Sequence, residues 1–366
     1  MKKYMFLITF LLASVELCAQ WNWYNPQDVK EKEDNASFVH NQGWNEDESN
    51  YHRLPLRAKA KIRKDVWTLA CQSAGLALRF RTSAEDIKVR YQVSRVYSML
   101  HMPATGVSGV SLYQMSEKGR AEMCTGSYSF ADTISYSFHV SRKETHPTSE
   151  YVLYLPLYNE VKWLEIGVKK GSELSFVPAV SDVKPIVVYG TSIAQGACAS
   201  RPGMAWTNIL NRSMGIPVVN LGFSGNGKLE KEVLDFVNEQ DACVYILDCM
   251  PNLSGMAVES VKILVKNAVC QIREKHDTPI LLVEHAGYSN AVTDRKAYEN
   301  YAAPNKGQRE AFEELKEEGI KNLFYLSHGE LGFDSDSWVD YVHPSDWGMV
   351  QQEAAVRRTL KVILGK

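Results

Sequence analysis

The feature that most constrains the fold is a change of pattern at Pro185. Beyond it, short and almost continuously apolar runs alternate with longer stretches of helical periodicity. Apolar runs of this kind are typical of strands buried on both faces, and their alternation with helices predicts a parallel sheet in a three-layer α/β/α domain. The five predicted strands cover residues 186–189, 218–221, 242–248, 279–284 and 323–326. The predicted helices lie at about residues 204–214, 229–238, 258–275, 306–319 and 347–364.

Before Pro185 the pattern is that of an all-β domain. Seven short runs are rich in β-branched and aromatic residues, and turn-forming residues separate most of them. This spacing predicts an antiparallel β-sandwich, jelly-roll-like in type, for residues 20–182, followed by the α/β domain of residues 185–366. Residues 21–55 show little periodicity and are predicted to be an extended leader. The seven predicted strands cover residues 67–72, 77–81, 87–93, 109–115, 135–140, 151–157 and 161–168.

The first nineteen residues have the pattern of a secretory signal peptide. Lys2 and Lys3 precede a twelve-residue apolar run, and Ala19 supplies a small residue for cleavage. The run is too short for a spanning helix of about 20 residues, although an uncleaved anchor or a buried strand is the alternative. We therefore expect a secreted or periplasmic protein that has no membrane span after cleavage.

Composition narrows the function classes. A chain of 366 residues with 45% hydrophobic and 23% charged residues is long enough for about two globular domains. The net charge of −2 argues against a protein that mainly binds nucleic acid. Six cysteines follow the predicted signal peptide without a C-x-x-C pair, so a structural zinc site has no support. Outside the cytoplasm these cysteines are either buried thiols or form one or two disulfides, Cys198–Cys249 being a candidate pair.

Polar or glycine-containing segments follow the predicted parallel strands. Ligands of open α/β sheets bind outside the carboxyl ends of the strands, so these segments are the candidate site. They comprise residues 190–196, 222–227, 248–252 and 284–285, together with residues 340–344 before the last helix.

These segments contain the groups that acyl transfer requires. Ser192 lies on a strand-to-helix turn as a candidate nucleophile, and Asp340 lies three residues before His343, close enough to fix the imidazole tautomer. The N–H groups of Ser192 and Gly222, with the Asn252 amide, would form a three-donor oxyanion hole.

Each of these features also has a plainer interpretation. Asn252 is in a position to cap a helix, and Asp340 and His343 are compatible with a surface pair. The glycines of residues 222–227 lack the spacing of a phosphate-binding or dinucleotide-binding loop. Ala194 interrupts the Gly-x-Ser-x-Gly elbow of α/β-hydrolases. The order in which these residues occur along the chain is a more specific indication of function than any one of them.

That order resembles the SGNH (GDSL-like) hydrolase family over residues 185–366. The matching residues are Ser192, Gly222, Asn252, Asp340 and His343, with Thr191 where many members have Asp. The resemblance implies a three-layer domain with five parallel strands and a Ser-His-Asp mechanism. The preceding residues also resemble the β-sandwich of an exported bacterial group of this family. Its Gly-x-Asp-Leu-Tyr motif is present at residues 109–113 with Ser111 in place of Asp, which puts the role of that carboxylate in doubt.

Three further residues are candidate substrate-binding groups. Arg201 follows Ser192 closely, and Glu284 and His285 lie at a strand end. We expect no metal, since the Glu284–His285 pair has no third ligand nearby in sequence, and no cofactor.

The sequence therefore predicts an exported serine esterase. A β-sandwich on an exported enzyme favours glycan substrates, so a carbohydrate O-acetyl esterase acting on a polysaccharide or a small-molecule ester is the preferred hypothesis. The alternatives are a lipase or thioesterase of the same fold, or a glycan-binding protein without activity. The sequence leaves the oligomeric state open.

Overall fold

The computed structural model describes residues 21–28, 37–46, 51–116, 119–141, 148–180 and 182–366. The predicted signal peptide lies outside the described residues. Within those residues, no helix has both the length and the apolar character that crossing a membrane would need.

The first half of the chain is a sandwich of two antiparallel sheets. One sheet has the order β1-β10-β4-β8-β7, and the other has the order β11-β3-β9-β5-β6 with β2 against β3. Alternation produces the core: along β8, residues Ile134, Tyr136 and Phe138 are buried between the sheets. The strands are β1 (Trp21–Tyr24), β2 (Val39–His40), β3 (Ala77–Thr82), β4 (Asp86–Val93), β5 (Ser111–Met115), β6 (Ala121–Met123), β7 (Gly126–Ser129), β8 (Ile134–His139), β9 (Ser149–Tyr154), β10 (Val161–Lys169) and β11 (Leu174–Phe176).

The second half contains a five-stranded parallel sheet in the order β13-β12-β14-β15-β16. In the register of the first three strands, Gly190 pairs with both Gly222 and Asp248, so these strands end at the same edge. The order reverses beside β12, which is where ligands bind in sheets of this type. The strands are β12 (Ile186–Gly190), β13 (Val218–Gly222), β14 (Val244–Asp248), β15 (Ile280–Val283) and β16 (Leu323–Leu326).

Helices cover both faces of the parallel sheet. Val187 and Tyr189 face the cluster formed with α5, α6 and α7, whereas Ile186 and Val188 face α3, α4 and α9. The three-layer prediction is confirmed. The α-helices are α1 (Lys64–Ala70), α2 (Ala104–Val107), α3 (Ser192–Gln195), α4 (Trp206–Met214), α5 (Lys231–Val237), α6 (Val258–Arg273), α7 (Arg295–Glu317), α8 (His328–Leu331) and α9 (Asp346–Ile363). Short 3-10 helices cover Leu56–Ala60, Pro202–Met204, Met250–Leu253 and Ser335–Ser337.

Three local predictions are wrong. Residues 67–72 were expected to form a strand, but they overlap α1, whose Val66 and Ala70 lie one turn apart and are buried. The predicted leader contributes β1 and β2 to the sandwich. Helix α7 begins eleven residues before the expected start and continues through Pro304. Its beginning is fixed by Asp294, whose side chain accepts from the N–H groups of residues 296 and 297.

The two halves share a core. Ala58, Val66 and Ala70 belong to the same cluster as the α5–α7 face of the parallel sheet. Arg53 is fully buried, and its guanidinium donates to the carbonyl oxygens of Asn220 at 3.2 Å and Gly222 at 2.5 Å. The first half is therefore built into the end of β13, next to the candidate site.

The Gly-x-Asp-Leu-Tyr position also joins the halves. The hydroxyl of Ser111, the residue in place of Asp, accepts from the N–H of Gly203 at 3.1 Å. The ring of Tyr113 lies 4.2 Å from the guanidinium carbon of Arg212. Ser111 thus provides an acceptor at a contact between the halves and does not line the candidate site.

The six described cysteines are free thiols. Cys198 Sγ donates to the carbonyl oxygen of His101 at 3.3 Å, and Cys249 Sγ donates to that of Tyr189 at 3.5 Å. The candidate Cys198–Cys249 disulfide is therefore not formed in this structure.

Candidate active site

Ser192 is presented at the first turn after β12. The strand ends at Gly190, and Thr191 caps the short helix α3 by accepting from the N–H of Ile193 at 3.3 Å. Gly196 ends the helix with a φ of 107°, a conformation that suits glycine. Thr191 therefore caps the helix that begins with Ser192.

Ser192, His343 and Asp340 form one hydrogen-bonded chain. Ser192 Oγ lies 3.0 Å from His343 Nε2, and His343 Nδ1 lies 2.8 Å from Asp340 Oδ2. The Asp340 carboxylate can only accept a hydrogen bond, so His343 Nδ1 carries the imidazole proton and donates that bond to Asp340. Nε2 then presents its lone pair to the serine hydroxyl. The structure brings together the three residues that the sequence singled out, although they are separated by up to 151 positions.

The local fold holds Asp340 in its ionised form. Its Oδ1 accepts from the N–H groups of Val342 at 2.8 Å and His343 at 2.6 Å. Partial burial opposes ionisation, but the hydrogen bonds from the His343 ring and from these two amides outweigh it. The pKa of Asp340 therefore lies below its ordinary value.

The turn of residues 222–227 corrects one sequence expectation. The N–H of Gly222 donates to Asn220 Oδ1 at 2.8 Å, so it is not directed at a substrate. Gly222 is instead needed for close packing, since a Cβ there would lie 2.3 Å from the backbone nitrogen of Gln195. Gly222 thus has a packing role and not the oxyanion-donor role that the sequence suggested.

Another N–H group of this turn is free. The amides of residues 223, 224, 226 and 227 donate to Gly190 O, Gln195 Oε1, Phe223 O and Asn252 Oδ1, respectively. Among the described residues, the N–H of Gly225 has no such partner. Gly225 has a φ of 68° and open space around its Cα. Its amide, rather than that of Gly222, is available to a ligand.

Asn252 lies in the 3-10 helix after β14. Its Oδ1 accepts from the N–H of Gly227 at 2.9 Å, which fixes the orientation of the amide. No partner for Nδ2 is present in the described part of the chain. Among the described residues, the N–H of Ser192, the N–H of Gly225 and Asn252 Nδ2 therefore have no hydrogen-bond partner, and each belongs to a segment that follows one of the first three parallel strands.

The other candidate residues have structural surroundings. Glu284 is 1% exposed and bonded to Arg309, to the Tyr325 hydroxyl at 2.5 Å and to the N–H of His328 at 2.6 Å. These partners fix the start of α8, so Glu284 is not a substrate-binding group.

His285 and Arg201 likewise do not line the cavity of 350 Å³ that lies beside His343. Burial lowers the pKa of His285 to about 3, and its Nδ1 accepts from the N–H of Gly287 at 2.9 Å, so the ring is neutral. Arg201 lies beside Ser200, with Nη1 3.4 Å from Oγ. The His285 ring is too buried for a substrate to reach it, whereas the expectation that Arg201 binds substrate stays a prediction.

A cavity of 350 Å³ opens beside His343, and both halves of the chain line it. The second half contributes Ala197, Ser224, Asn226 and His343. The first half contributes Asp65, Thr68, Leu69, Gln72, Arg95, Met99, His101 and Tyr158. Nine of these twelve residues carry polar side chains, while apolar atoms make up the larger share of the exposed lining, so the cavity suits a small ligand with both polar and apolar groups.

Two cavity residues from the first half contact the Ser–His–Asp chain. The ring of His101 stacks on that of His343 with centroids 5.6 Å apart, and the Tyr158 hydroxyl donates to the carbonyl oxygen of Ser192 at 3.4 Å. Sequence reasoning missed both, because they lie in loops of the sandwich and carry no motif. Only the docking of the two halves brings them to this edge.

A serine, a histidine and an aspartate thus lie in one hydrogen-bonded chain at the carboxyl edge of a parallel sheet, an arrangement of the kind that serine hydrolases use. Residues 183–361 match the GDSL-like lipase/acylhydrolase family, and residues 21–174 match the N-terminal domain of SGNH-hydrolase-type esterases. A crystal structure from Bacteroides ovatus, described as that of a GDSL-like lipase, is 32% identical with a TM-score of 0.84. The alignment covers 94% of this chain and 98% of that one. The chain belongs to the GDSL-like lipase/acylhydrolase family and is an ester-bond hydrolase.

More distant structures share the fold. The salicylyl-acyltransferase of a tetracycline biosynthetic pathway is 17% identical over 94% of this chain and 95% of its own, with a TM-score of 0.65. A family two carbohydrate esterase from Clostridium thermocellum, solved with cellohexaose, is 12% identical over 81% of this chain and 94% of its own, with a TM-score of 0.54. No curated protein matched the sequence.

Proposed function

We propose that this protein is an exported serine esterase that removes acetyl groups from carbohydrates. The observation that carries the mechanism is the continuous hydrogen-bonded chain from Ser192 Oγ through His343 to Asp340. In this proposal the three residues are a catalytic triad.

The first half-reaction acylates the serine. Ser192 Oγ attacks the ester carbonyl carbon while its proton passes to His343 Nε2, 3.0 Å away. The Nδ1 proton stays on the ring, and Asp340 accepts a hydrogen bond from Nδ1–H and so stabilises the imidazolium. The tetrahedral intermediate then collapses, the sugar oxygen leaves with the proton from Nε2, and an acetyl-serine remains. Water repeats these steps, releasing acetate and restoring the serine.

Three donors stabilise the oxyanion in this proposal. They are the N–H of Ser192, the N–H of Gly225 and the Nδ2–H of Asn252. Gly225 takes the place assigned to Gly222 from the sequence, because the Gly222 amide is already bonded to Asn220. Donors that are oriented before the reaction are typically worth about 10²- to 10³-fold each in kcat.

The cavity favours a sugar ester over a long acyl chain. Its volume of 350 Å³ is at the small end of the range of about 300–1,000 Å³ for ligand pockets. Leu69, Met99 and Ala197 are its aliphatic lining residues, and the other nine carry polar or charged side chains. The small volume and these polar groups support an acetylated carbohydrate rather than a long-chain lipid or an acyl thioester. The fold shared with the carbohydrate esterase solved with cellohexaose is consistent with this substrate class.

The experiment combines a serine probe with substrate release. A fluorophosphonate should label the protein, and acetate should be released from members of a panel of acetylated polysaccharides. Ser192→Ala should lose both signals. Ser127→Ala is the matched control, because Ser127 is exposed on β7 of the sandwich, and it should retain both.

Two outcomes contradict the proposal. Undiminished turnover in Ser192→Ala would exclude the mechanism, and an absence of labelling in the native protein would favour the glycan-binding alternative. Release of long-chain fatty acids without acetate release would instead favour the lipase alternative.

A further inference from the structure

Four side chains of types that bind metal ions lie together around His343. His101, Cys198, Asp340 and His343 each offer one ligand atom, and these atoms all lie within 4.8 Å of one another. The four residues come from three separate segments: a loop of the sandwich, the chain just after α3, and the loop before α9. Neither the sequence pattern nor the esterase mechanism requires this set.

Two of these residues, His101 and Cys198, lie against each other beside the Asp340–His343 pair. Cys198 has a φ of 65°, an uncommon conformation for a non-glycine residue, and its Sγ donates to the carbonyl oxygen of His101. The ring of His101 stacks on His343. Burial raises the pKa of the Cys198 thiol to about 12, and the negative charge of nearby Asp340 contributes to the same shift. A buried thiol and an exposed imidazole therefore flank the Asp340–His343 pair.

The donor set suits a tetrahedral zinc ion. One sulfur, two imidazole nitrogens and one carboxylate oxygen are all ligands that Zn²⁺ takes in proteins. Zinc–ligand distances of about 2.0–2.3 Å place neighbouring ligands roughly 3.3–3.8 Å apart, so a pair at the 4.8 Å limit must approach by about 1.0–1.5 Å. His101 is exposed in the turn between Met99 and Met102, so its side chain can make this movement by rotation while the turn stays in place. A thiolate and a carboxylate would neutralise the charge of the ion.

We propose that these four residues form an inhibitory site for a divalent transition metal, with Zn²⁺ as the preferred ion. The inhibition, though not the binding, rests on the proposed role of His343 as the base. Binding releases one proton, that of the Cys198 thiol, because a metal-bound sulfur is a thiolate.

Either ring nitrogen of His343 gives the same result. An ion on Nε2 occupies the lone pair that would accept the Ser192 proton. An ion on Nδ1 breaks the bond to Asp340 and moves the imidazole proton to Nε2. In both cases the serine loses its base, and removal of the ion restores it.

The binding test uses the full-length purified protein and needs no substrate. Zn²⁺ is titrated in competition with a chromophoric chelator, and Co²⁺ is added separately to record its absorption spectrum. We expect one ion per chain and a cobalt–thiolate charge-transfer band. Cys198→Ser should abolish this band and weaken Zn²⁺ binding by at least the 10- to 100-fold typical of lost outer partners, since a direct ligand is removed. His101→Gln should also weaken binding, and Cys270→Ser is the matched control because Cys270 is an exposed cysteine on α6.

Failure of the site and failure of the proposed function are distinguishable. Zn²⁺ binding of equal strength in native protein and Cys198→Ser, or cobalt binding without a thiolate band, would overturn the site. Hydrolysis of an acetate ester should fall on saturation with Zn²⁺ and return with a chelator. In Cys198→Ser, whose basal activity should persist, inhibition should need at least tenfold more Zn²⁺. Tight, Cys198-dependent binding that leaves hydrolysis unchanged would uphold the site and contradict the role of His343 as the base.

Discussion

The Asn252 side chain offers the sharpest test of the proposed oxyanion hole, because its two ends have different tasks. Oδ1 accepts from the N–H of Gly227 at 2.9 Å and supports the turn, whereas Nδ2 is the end proposed to donate to the oxyanion. Asn252→Asp keeps the acceptor and the shape but replaces the donor with an oxygen. Asn252→Ala removes both ends. The two variants therefore separate the structural task from the catalytic one.

The two variants should rank in opposite orders for activity and for stability. Loss of the donor should lower kcat/KM by about 10²- to 10³-fold in Asn252→Ala, which is about 3–4 kcal/mol. Asn252→Asp should be slower still, because a carboxylate about 4 Å from the oxyanion repels it by up to roughly 4 kcal/mol at an effective dielectric constant near 20. For stability, Asn252→Ala should lose about 1–3 kcal/mol, since the Gly227 N–H loses its acceptor, and Asn252→Asp should lose less.

The assay measures kcat/KM on an activated acetate ester at neutral pH and the free energy of unfolding in denaturant. We expect the alanine variant to be the less stable and the more active of the two. If activity instead followed stability, or if Asn252→Asp turned over like the native enzyme, Asn252 would be a structural residue and the donor assignment would be refuted.

The remaining predictions concern the base, the turn and acid stability. Asp340→Asn should remain folded but lower kcat by roughly 10⁴-fold, as loss of the orienting carboxylate does in serine hydrolases; a change of less than tenfold in steady-state kinetics would argue against the triad. Gly222→Ala should cost about 1–3 kcal/mol or more of stability because its Cβ would meet the backbone of Gln195, and an unchanged Tm would contradict that packing. His40 donates from Nε2 to the carbonyl oxygen of Val177, and burial lowers its pKa from 6.5 to about 4. The unfolded chain therefore binds this proton first, so stability should fall by up to about 3 kcal/mol as the pH drops from 6.5 to 4. His40→Gln should reduce this loss in denaturation curves recorded across that range, and an identical pH slope would show that the loss has another origin.

The order of strands and helices followed from local patterns. An apolar run such as residues 186–189 is specified by its own sequence, because burial on both faces leaves no place for polar side chains. Local patterns failed where tertiary packing outweighed them. Helix α7 continues through Pro304, and residues 67–72 contribute to a helix because Val66 and Ala70 pack onto the parallel sheet.

The sequence by itself determined which residue types stand at the strand ends. Ser192, Asn252, Asp340 and His343 could be singled out because parallel strands that end at one edge bring distant segments together. The structure adds the distances that join Ser192, His343 and Asp340.

Only the tertiary structure decided which backbone groups remain free and what the first half adds. Gly222 and Gly225 look alike in the sequence, yet one N–H is bonded to Asn220 and the other is open, since hydrogen bonding within the folded turn sets this difference. His101 and Cys198 are 97 residues apart and belong to no motif. Their position beside His343 depends on how the sandwich docks on the parallel sheet, which no local pattern encodes.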